Sequence, residues 1–233
     1  MNNIVNLLCP EYNRCLDYIV RFSKRLNDAK SYLEIGVNYG RAFINALLME
    51  PKFKRVVVVD ALNLQFGGQV SSFDHLYPLV NNTCEYKYHP DSKVEYIKGD
   101  SKNILPDFLQ KNITFDLIFV DGDHSAEGAN SDLFYSYKLL TENGILIFDD
   151  LANPPHPYLR KVFDTFTKPK INDTIGLFRQ KDQFIKLNHN NPSIGIIVKN
   201  RTREEVIKRI EELRMEDMCL YEENNPNVKV MKK

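Results

Sequence analysis

A charged stretch directly follows an apolar run: FVDGDHS, Phe119 to Ser125, places two aspartates and a histidine within four positions. It is either a solvated turn or a site where carboxylates and an imidazole meet a metal ion, a cofactor amine or a substrate proton. An imidazole titrates near neutral pH, so His124 is a candidate general base. The alternative for His124 is a residue at a helix start that bonds a neighbouring carboxylate.

A second acidic group, FDD, ends a later apolar run at Asp149 and Asp150. Adjacent carboxylates repel each other unless a cation or a donor lies between them. Asp121 on a neighbouring strand would complete an all-oxygen site of the kind that suits Mg²⁺. The alternative is that both aspartates are solvated and that one caps the following loop.

Apolar runs that alternate with helical patterns predict the elements that position these residues. Strands are predicted at 31–37, 55–62, 93–100, 115–122, 145–150, 174–180 and 193–200. Helices are predicted at 11–28, 41–49, 103–111, 126–140 and 202–216, with Ser125 as the N-cap of the fourth. The continuously apolar strands indicate an α/β fold with a doubly wound parallel sheet, covered on both faces.

Ligands of such sheets bind at the carboxyl ends of the strands, where the first strand runs into LEIGVNYG. Glu34, Gly36 and Gly40 form the pattern E-x-G-x-x-x-G, and the glycines let the backbone approach a ligand closely. Asn38 occupies the second glycine position of G-x-G-x-x-G, which disfavours an NAD-binding site.

Two further strand ends carry polar residues. Asp60 ends the second strand, where a carboxylate accepts hydrogen bonds from ribose hydroxyls or simply caps the strand. Asp100 and Ser101 end the third strand, where they meet an adenine edge or form a plain turn.

Composition bounds the class of protein. The 233 residues suit one domain, expected as an N-terminal helical cap (1–29), a core (30–200) and a C-terminal helix and tail (201–233). Lys plus Arg and Asp plus Glu each number 31, which makes nucleic acid an unexpected partner. The four cysteines form no CxxC pair, and neither a signal peptide nor a membrane-spanning run is evident, so we expect a cytoplasmic protein.

In this order, YLEIGVNYGRA, VVVVDAL, YIKGDS, FDLIFVDGDHSAEGANSDL and NGILIFDDL resemble a class I S-adenosylmethionine (SAM)-dependent methyltransferase over residues 30–200. VDGDHSxEG is similar to the small metal-dependent O-methyltransferases and their relatives, among them catechol, caffeoyl-CoA and macrolide-sugar O-methyltransferases and cephalosporin-hydroxylase-like proteins. The resemblance implies a Rossmann-like, seven-stranded sheet of order 3-2-1-4-5-7-6 with the last strand antiparallel.

The resemblance also assigns roles to residues. It implies that SAM is bound by Glu34, Gly36, Gly40, Asp60, Asp100, Ser101 and Asp121. It implies that Mg²⁺ or another divalent cation is held by Asp121, Asp149 and Asp150. Catechol-type enzymes have asparagine in place of Asp150 and a lysine base in place of His124, so both departures point to the sugar-modifying and uncharacterised branch rather than to the catechol branch.

The expected function is Mg²⁺-assisted O-methylation of a hydroxyl on a small molecule or sugar, with His124 as the base. The alternatives are a SAM-binding relative without methyl transfer and a metal-independent methyltransferase. Asp123 stays open between the SAM amino group and solvent, and a homo-oligomer is possible. Acceptor specificity is expected in 63–92 and 152–172, with these candidate pocket residues: His75, His156, Phe66, Phe73, Tyr77 and Tyr158.

Overall fold

The computed structural model describes residues 28–48, 53–62, 72–78, 93–167, 182–187, 194–212, 218–222 and 225–230. Several predictions lie outside these residues: most of the N-terminal helical cap, the strand at 174–180, most of the specificity segment 63–92, the end of the segment 152–172 and the pocket residue Phe66.

The described residues form nine strands and five helices. The strands are β1 (Ser31–Ile35), β2 (Arg55–Asp60), β3 (Lys93–Lys98), β4 (Phe115–Val120), β5 (Leu140–Phe148), β6 (Gln183–Leu187), β7 (Ile194–Val198), β8 (Met218–Glu222) and β9 (Asn225–Val230). The helices are α1 (Arg41–Leu48), α2 (Ser101–Gln110), α3 (Ala126–Leu139), α4 (Leu159–Thr167) and α5 (Arg203–Glu212). The first five strands and α1 to α3 lie where the sequence predicts them.

All nine strands join one sheet in the order β3-β2-β1-β4-β5-β7-β6-β8-β9. The strands from β3 to β5 are parallel, and β7 is antiparallel to both β5 and β6. The Rossmann-like α/β fold with a mixed sheet is therefore confirmed. The predicted number of seven strands is wrong for the described residues, because β8 and β9 pair onto the free edge of β6.

Helices cover both faces of the sheet, as the apolar strands predict. Phe43 of α1 and Val206 of α5 are fully buried in one apolar cluster. Leu105, Leu133 and Phe163, from α2, α3 and α4, are fully buried in the cluster on the other face. No helix in the described ranges is long and apolar enough to span a bilayer.

The strand ends are held in line at the carboxyl edge by backbone hydrogen bonds just beyond the strands. Asp121 N–H donates to Ile35 O (2.8 Å), and Asp149 N–H donates to Val120 O (3.0 Å). Gly36 N–H likewise donates to Val59 O at 2.9 Å. The loops after β1, β4 and β5 therefore begin side by side, and this brings the predicted cofactor and metal residues together.

Candidate functional site

Three side chains meet at this edge: Asp121 and His124 from the loop after β4, and Asp150 from the loop after β5. One potential ligand atom from each lies within 4.8 Å of the other two. His124 Nε2 is 2.8 Å from Asp150 Oδ2 and 3.5 Å from Asp121 Oδ1. We call these three residues the acidic cluster.

The acidic cluster holds His124 as a cation when no metal is bound. Hydrogen bonds to Asp121 and Asp150 raise the pKa of His124 to about 10. Burial raises the pKa of Asp121, against the opposing effect of His124. Burial also acts to raise the pKa of Asp150, but bonds from His124 and Asn153 outweigh it and lower that pKa. A protonated imidazole cannot accept a substrate proton, so a base role for His124 requires that proton to leave first.

The backbone decides which member of the aspartate pair joins the cluster. Asp150 has φ +63°, a left-handed conformation that aspartate and asparagine tolerate better than most residues. Its Oδ2 accepts a hydrogen bond of 2.8 Å from Asn153 Nδ2, a contact that the sequence did not reveal. Asp149 is buried in the lining of a cleft that Asp121 and His124 also line. Its Oδ1 accepts the Asp150 N–H, and it lies outside the cluster. The structure thus gathers His124 with Asp121 and Asp150, whereas the sequence predicts Asp149 as the third member of this group.

The loop between β1 and α1 adjoins the cluster. Gly36 has φ +79°, and a Cβ there would lie 2.1 Å from the backbone oxygen of Asp121. Gly40 has φ +77°, and its missing Cβ leaves room for Leu76. Both glycines of E-x-G-x-x-x-G therefore allow a close approach of other parts of the chain, Asp121 and Leu76, and their predicted contact with a ligand stays a prediction.

Asp60 fastens this loop to β2. Its Oδ2 accepts hydrogen bonds from the backbone N–H groups of Val37 (2.8 Å) and Asn38 (3.0 Å), and its Oδ1 accepts from Leu62 N–H (2.7 Å). Asn38 itself has φ +44°, which explains why asparagine serves at this position without a glycine. The Asp60 carboxylate is a structural clamp, and its role in binding ribose stays a prediction.

The predicted adenine contacts, Asp100 and Ser101, begin α2. Asp100 is its N-cap and accepts a hydrogen bond from Lys102 N–H, while the Ser101 side chain is buried. The same helix supplies Lys102, whose Nζ lies 3.3 Å from Asp123 Oδ2. Asp123 thus contacts a lysine and the start of α3, and its pKa is lowered by the N–H group of Ser125 despite burial.

Two buried carboxyls lie beneath this surface. Glu34 is fully buried and accepts a 2.5 Å hydrogen bond from Tyr32 Oη; burial raises its pKa well above the usual range. Asp132 of α3 is also fully buried, and burial raises its pKa to about 7. Within the described residues neither Asp132 oxygen has a hydrogen bond of normal geometry. In this structure Glu34 bonds Tyr32, and its predicted cofactor contact stays a prediction.

Gly128, the second glycine of VDGDHSxEG, is needed for packing. Ser125 is the N-cap of α3, as predicted, and accepts a hydrogen bond from Gly128 N–H. A Cβ at Gly128 would lie 2.1 Å from Oδ2 and 2.5 Å from Cβ of Asp123. The motif therefore couples the Asp123 side chain to the first turn of the helix.

The effect of Gly128→Ala on the free energy of unfolding should change sign with the residue at position 123. In the wild-type background the added methyl group displaces Asp123, and we expect a loss of about 1–3 kcal/mol in the free energy of unfolding. In an Asp123→Gly background the clash is gone, and the same change should stabilise by about 0.5–1 kcal/mol through helix propensity. Urea unfolding of the four proteins measures this; equal effects in both backgrounds would contradict the coupling.

The loop after β5 brings two predicted pocket residues to the cluster. His156 stacks on His124, with ring centroids 4.9 Å apart and 17° between the planes. Tyr158 Oη donates to His124 O at 2.7 Å. His75 lies apart from them, with Nε2 3.0 Å from Asn38 O on the glycine loop. Phe73 and Tyr77 pack against Tyr96 of β3 instead.

The donor set of the cluster fits a divalent cation. Two carboxylates suit hard ions such as Mg²⁺ and Mn²⁺, and the imidazole nitrogen also accommodates Mn²⁺, Fe²⁺ or Zn²⁺. The gathered like charges of Asp121 and Asp150 are neutralised by such an ion or, without it, by the proton on His124.

Residues 33–151, just over half of the chain, match a family model described as a methyltransferase domain. An uncharacterized protein, R132, of Acanthamoeba polyphaga mimivirus is 31% identical over 127 residues, 53% of this chain and 52% of that protein. The match thus spans about half the length of this curated relative.

Among solved structures, an O-methyltransferase from Bacillus cereus in complex with SAH is 19% identical, with a TM-score of 0.55 over 85% of this chain and 87% of that one. CalS11, a TDP-rhamnose 3'-O-methyltransferase of calicheamicin biosynthesis, is 18% identical, with a TM-score of 0.54 over 78% and 76%. These two likenesses support the fold.

Proposed function

The chain belongs to the methyltransferase-domain family, and we propose that it transfers a methyl group from SAM to a hydroxyl of a small molecule or sugar, with a divalent cation at the acidic cluster. The observation that carries this proposal is the contact between Gly36 and Asp121: the glycine loop lies directly against the loop of the cluster. A cofactor on the first and an acceptor oxygen at the second would be neighbours, as methyl transfer requires.

The residues of the edge divide the work in this proposal. The glycine loop, held by Asp60, would let the backbone approach SAM closely, and Asp100 with Ser101, at the start of α2, would contact the adenine. Asp121, His124 and Asp150 would hold the cation, with Asp149 as the alternative third ligand. A divalent cation there would lower the pKa of a bound hydroxyl and fix its oxygen in place.

The protonation of His124 affects how the acidic cluster binds a cation. Because His124 is protonated in the metal-free cluster, binding of a cation releases that proton and leaves a neutral imidazole. His124 would then serve as a ligand or as the base. A sugar hydroxyl is favoured as acceptor by Asp150 and His124, the two departures from the catechol type, and the CalS11 likeness agrees with it.

Calorimetry with SAM, followed by an assay of SAH release, tests the proposal. We expect micromolar SAM binding without metal, and transfer to TDP-rhamnose that requires Mg²⁺ or Mn²⁺ and stops with EDTA; catechol should be the poorer acceptor. Absence of SAM binding would refute the assignment. Transfer that resists EDTA would favour the metal-independent alternative, and SAM binding without any turnover would favour a non-transferring relative.

A further inference from the structure

His156 occupies a position beside the acidic cluster that the roles above leave unused. Its ring lies flat against His124, 4.9 Å between centroids, on the loop after β5. The side chain is half-buried, so part of its ring is accessible.

The hydrogen bonds of Tyr158 fix the tautomer of this ring. Tyr158 Oη lies 2.7 Å from His124 O. A carbonyl oxygen only accepts, so the single phenolic hydrogen is donated to it. His156 Nδ1 lies 3.0 Å from the same Oη, which can then act only as the acceptor. His156 must therefore carry its hydrogen on Nδ1, and in the neutral ring Nε2 keeps a free lone pair.

The lone pair of His156 Nε2 differs from the other polar groups around the cluster, which already contact partners. His124 Nε2 faces Asp150 and Asp121, and Asp123 bonds Ser125 N–H and pairs with Lys102. Within the described residues His156 Nε2 has no hydrogen-bond partner. A bare imidazole nitrogen accepts a hydrogen bond and rejects a group that has none to give.

We propose that His156 Nε2 accepts a hydrogen bond from the hydroxyl of the acceptor substrate and thereby selects alcohols or phenols beside the acidic cluster. The proposal rests on the proposed function, because it deepens the acceptor side of the same site. His156 is then a specificity-determining residue, with Tyr158 as the positioning residue that fixes its tautomer.

Long-range ¹H–¹⁵N NMR of the histidine rings tests the tautomer, with His156→Gln to assign the signals. We expect wild-type His156 protonated on Nδ1 and bare on Nε2. Tyr158→Phe removes the partner of Nδ1 and should shift the ring toward the Nε2–H form. Tyr135→Phe, the same change on α3 next to Phe134, should leave it unaltered. A wild-type ring with its hydrogen on Nε2 overturns the proposal.

Phenol and anisole, which differ in one methyl group and hence in the hydroxyl hydrogen, test the recognition. Phenol at millimolar concentration should shift the His156 Nε2 signal at least about threefold more than anisole, and Tyr158→Phe should remove the difference. Equal shifts by both, or by neither, overturn the proposal. SAM calorimetry on the same samples keeps the two failures apart: lost SAM binding would refute the proposed function and leave the tautomer result standing.

Discussion

Asp121→Asn should weaken Mn²⁺ binding to the metal-free protein by at least about 100-fold, since even outer-shell partners of metal ligands contribute 10- to 100-fold. The substitution removes one charge and one strong oxygen ligand from the cluster. Without metal the stability should change little, because two contributions oppose each other. Burial raises the pKa of Asp121 and makes its charge unfavourable, whereas the same charge stabilises protonated His124. Electron paramagnetic resonance of Mn²⁺ and thermal melting in EDTA measure the two effects.

Asp149→Asn makes the same chemical change one residue outside the cluster and tests whether Asp149, the alternative third ligand, binds the ion. The amide oxygen can still accept the Asp150 N–H, so Mn²⁺ affinity should stay within about threefold of wild type. His124→Gln should weaken binding by about tenfold or more if the imidazole is the third ligand. Strong loss in Asp149→Asn with none in His124→Gln would restore the all-carboxylate site that the sequence predicts.

The carboxyl edge was predictable because it follows from a rule about sheets. Parallel strands that end in Asp60, Asp121 and the Asp149–Asp150 pair must present them at one edge. The consecutive valines of β2 predicted a strand buried on both faces, and in the structure they alternate between the two apolar clusters on the two faces of the sheet. The strands β8 (MCLYE) and β9 (NPNVKV) gave no such signal, since each is only five or six residues long and no helical pattern separates them.

Which carboxylates face one another was not predictable, because it depends on single dihedral angles. The φ of +63° at Asp150 turns its side chain to His124, whereas Asp149 stays buried. Asp132 was missed for a different reason. Apolar residues at helical spacing, such as Leu133 and Tyr137 of α3, are expected to be buried, but a carboxylate on the same face is expected to be exposed until packing shows it buried.

Gly36→Ala should destabilise the protein more than Gly128→Ala or Gly99→Ala, which also add one methyl group. Alanine in the left-handed region costs about 1–2 kcal/mol, and overpacking adds about 1–3 kcal/mol. The new Cβ would lie 2.1 Å from Asp121 O, a backbone atom that cannot rotate away. The melting temperature should fall by roughly 5–15 °C. Because the clash separates the two loops, SAM and Mn²⁺ binding should both weaken, as calorimetry at low temperature would show.

Gly99→Ala supplies the control at a neighbouring strand end. A Cβ there would lie 3.2 Å from Ile104 Cδ1, the end of a flexible side chain, and the glycine has no positive φ. A cost below about 1 kcal/mol and unchanged Mn²⁺ affinity are expected. If Gly36→Ala were as mild as this control, the glycine loop could not press on the loop of Asp121. Cofactor and cluster would then be independent sites, and the physical reason for placing methyl donor and acceptor oxygen side by side would be lost.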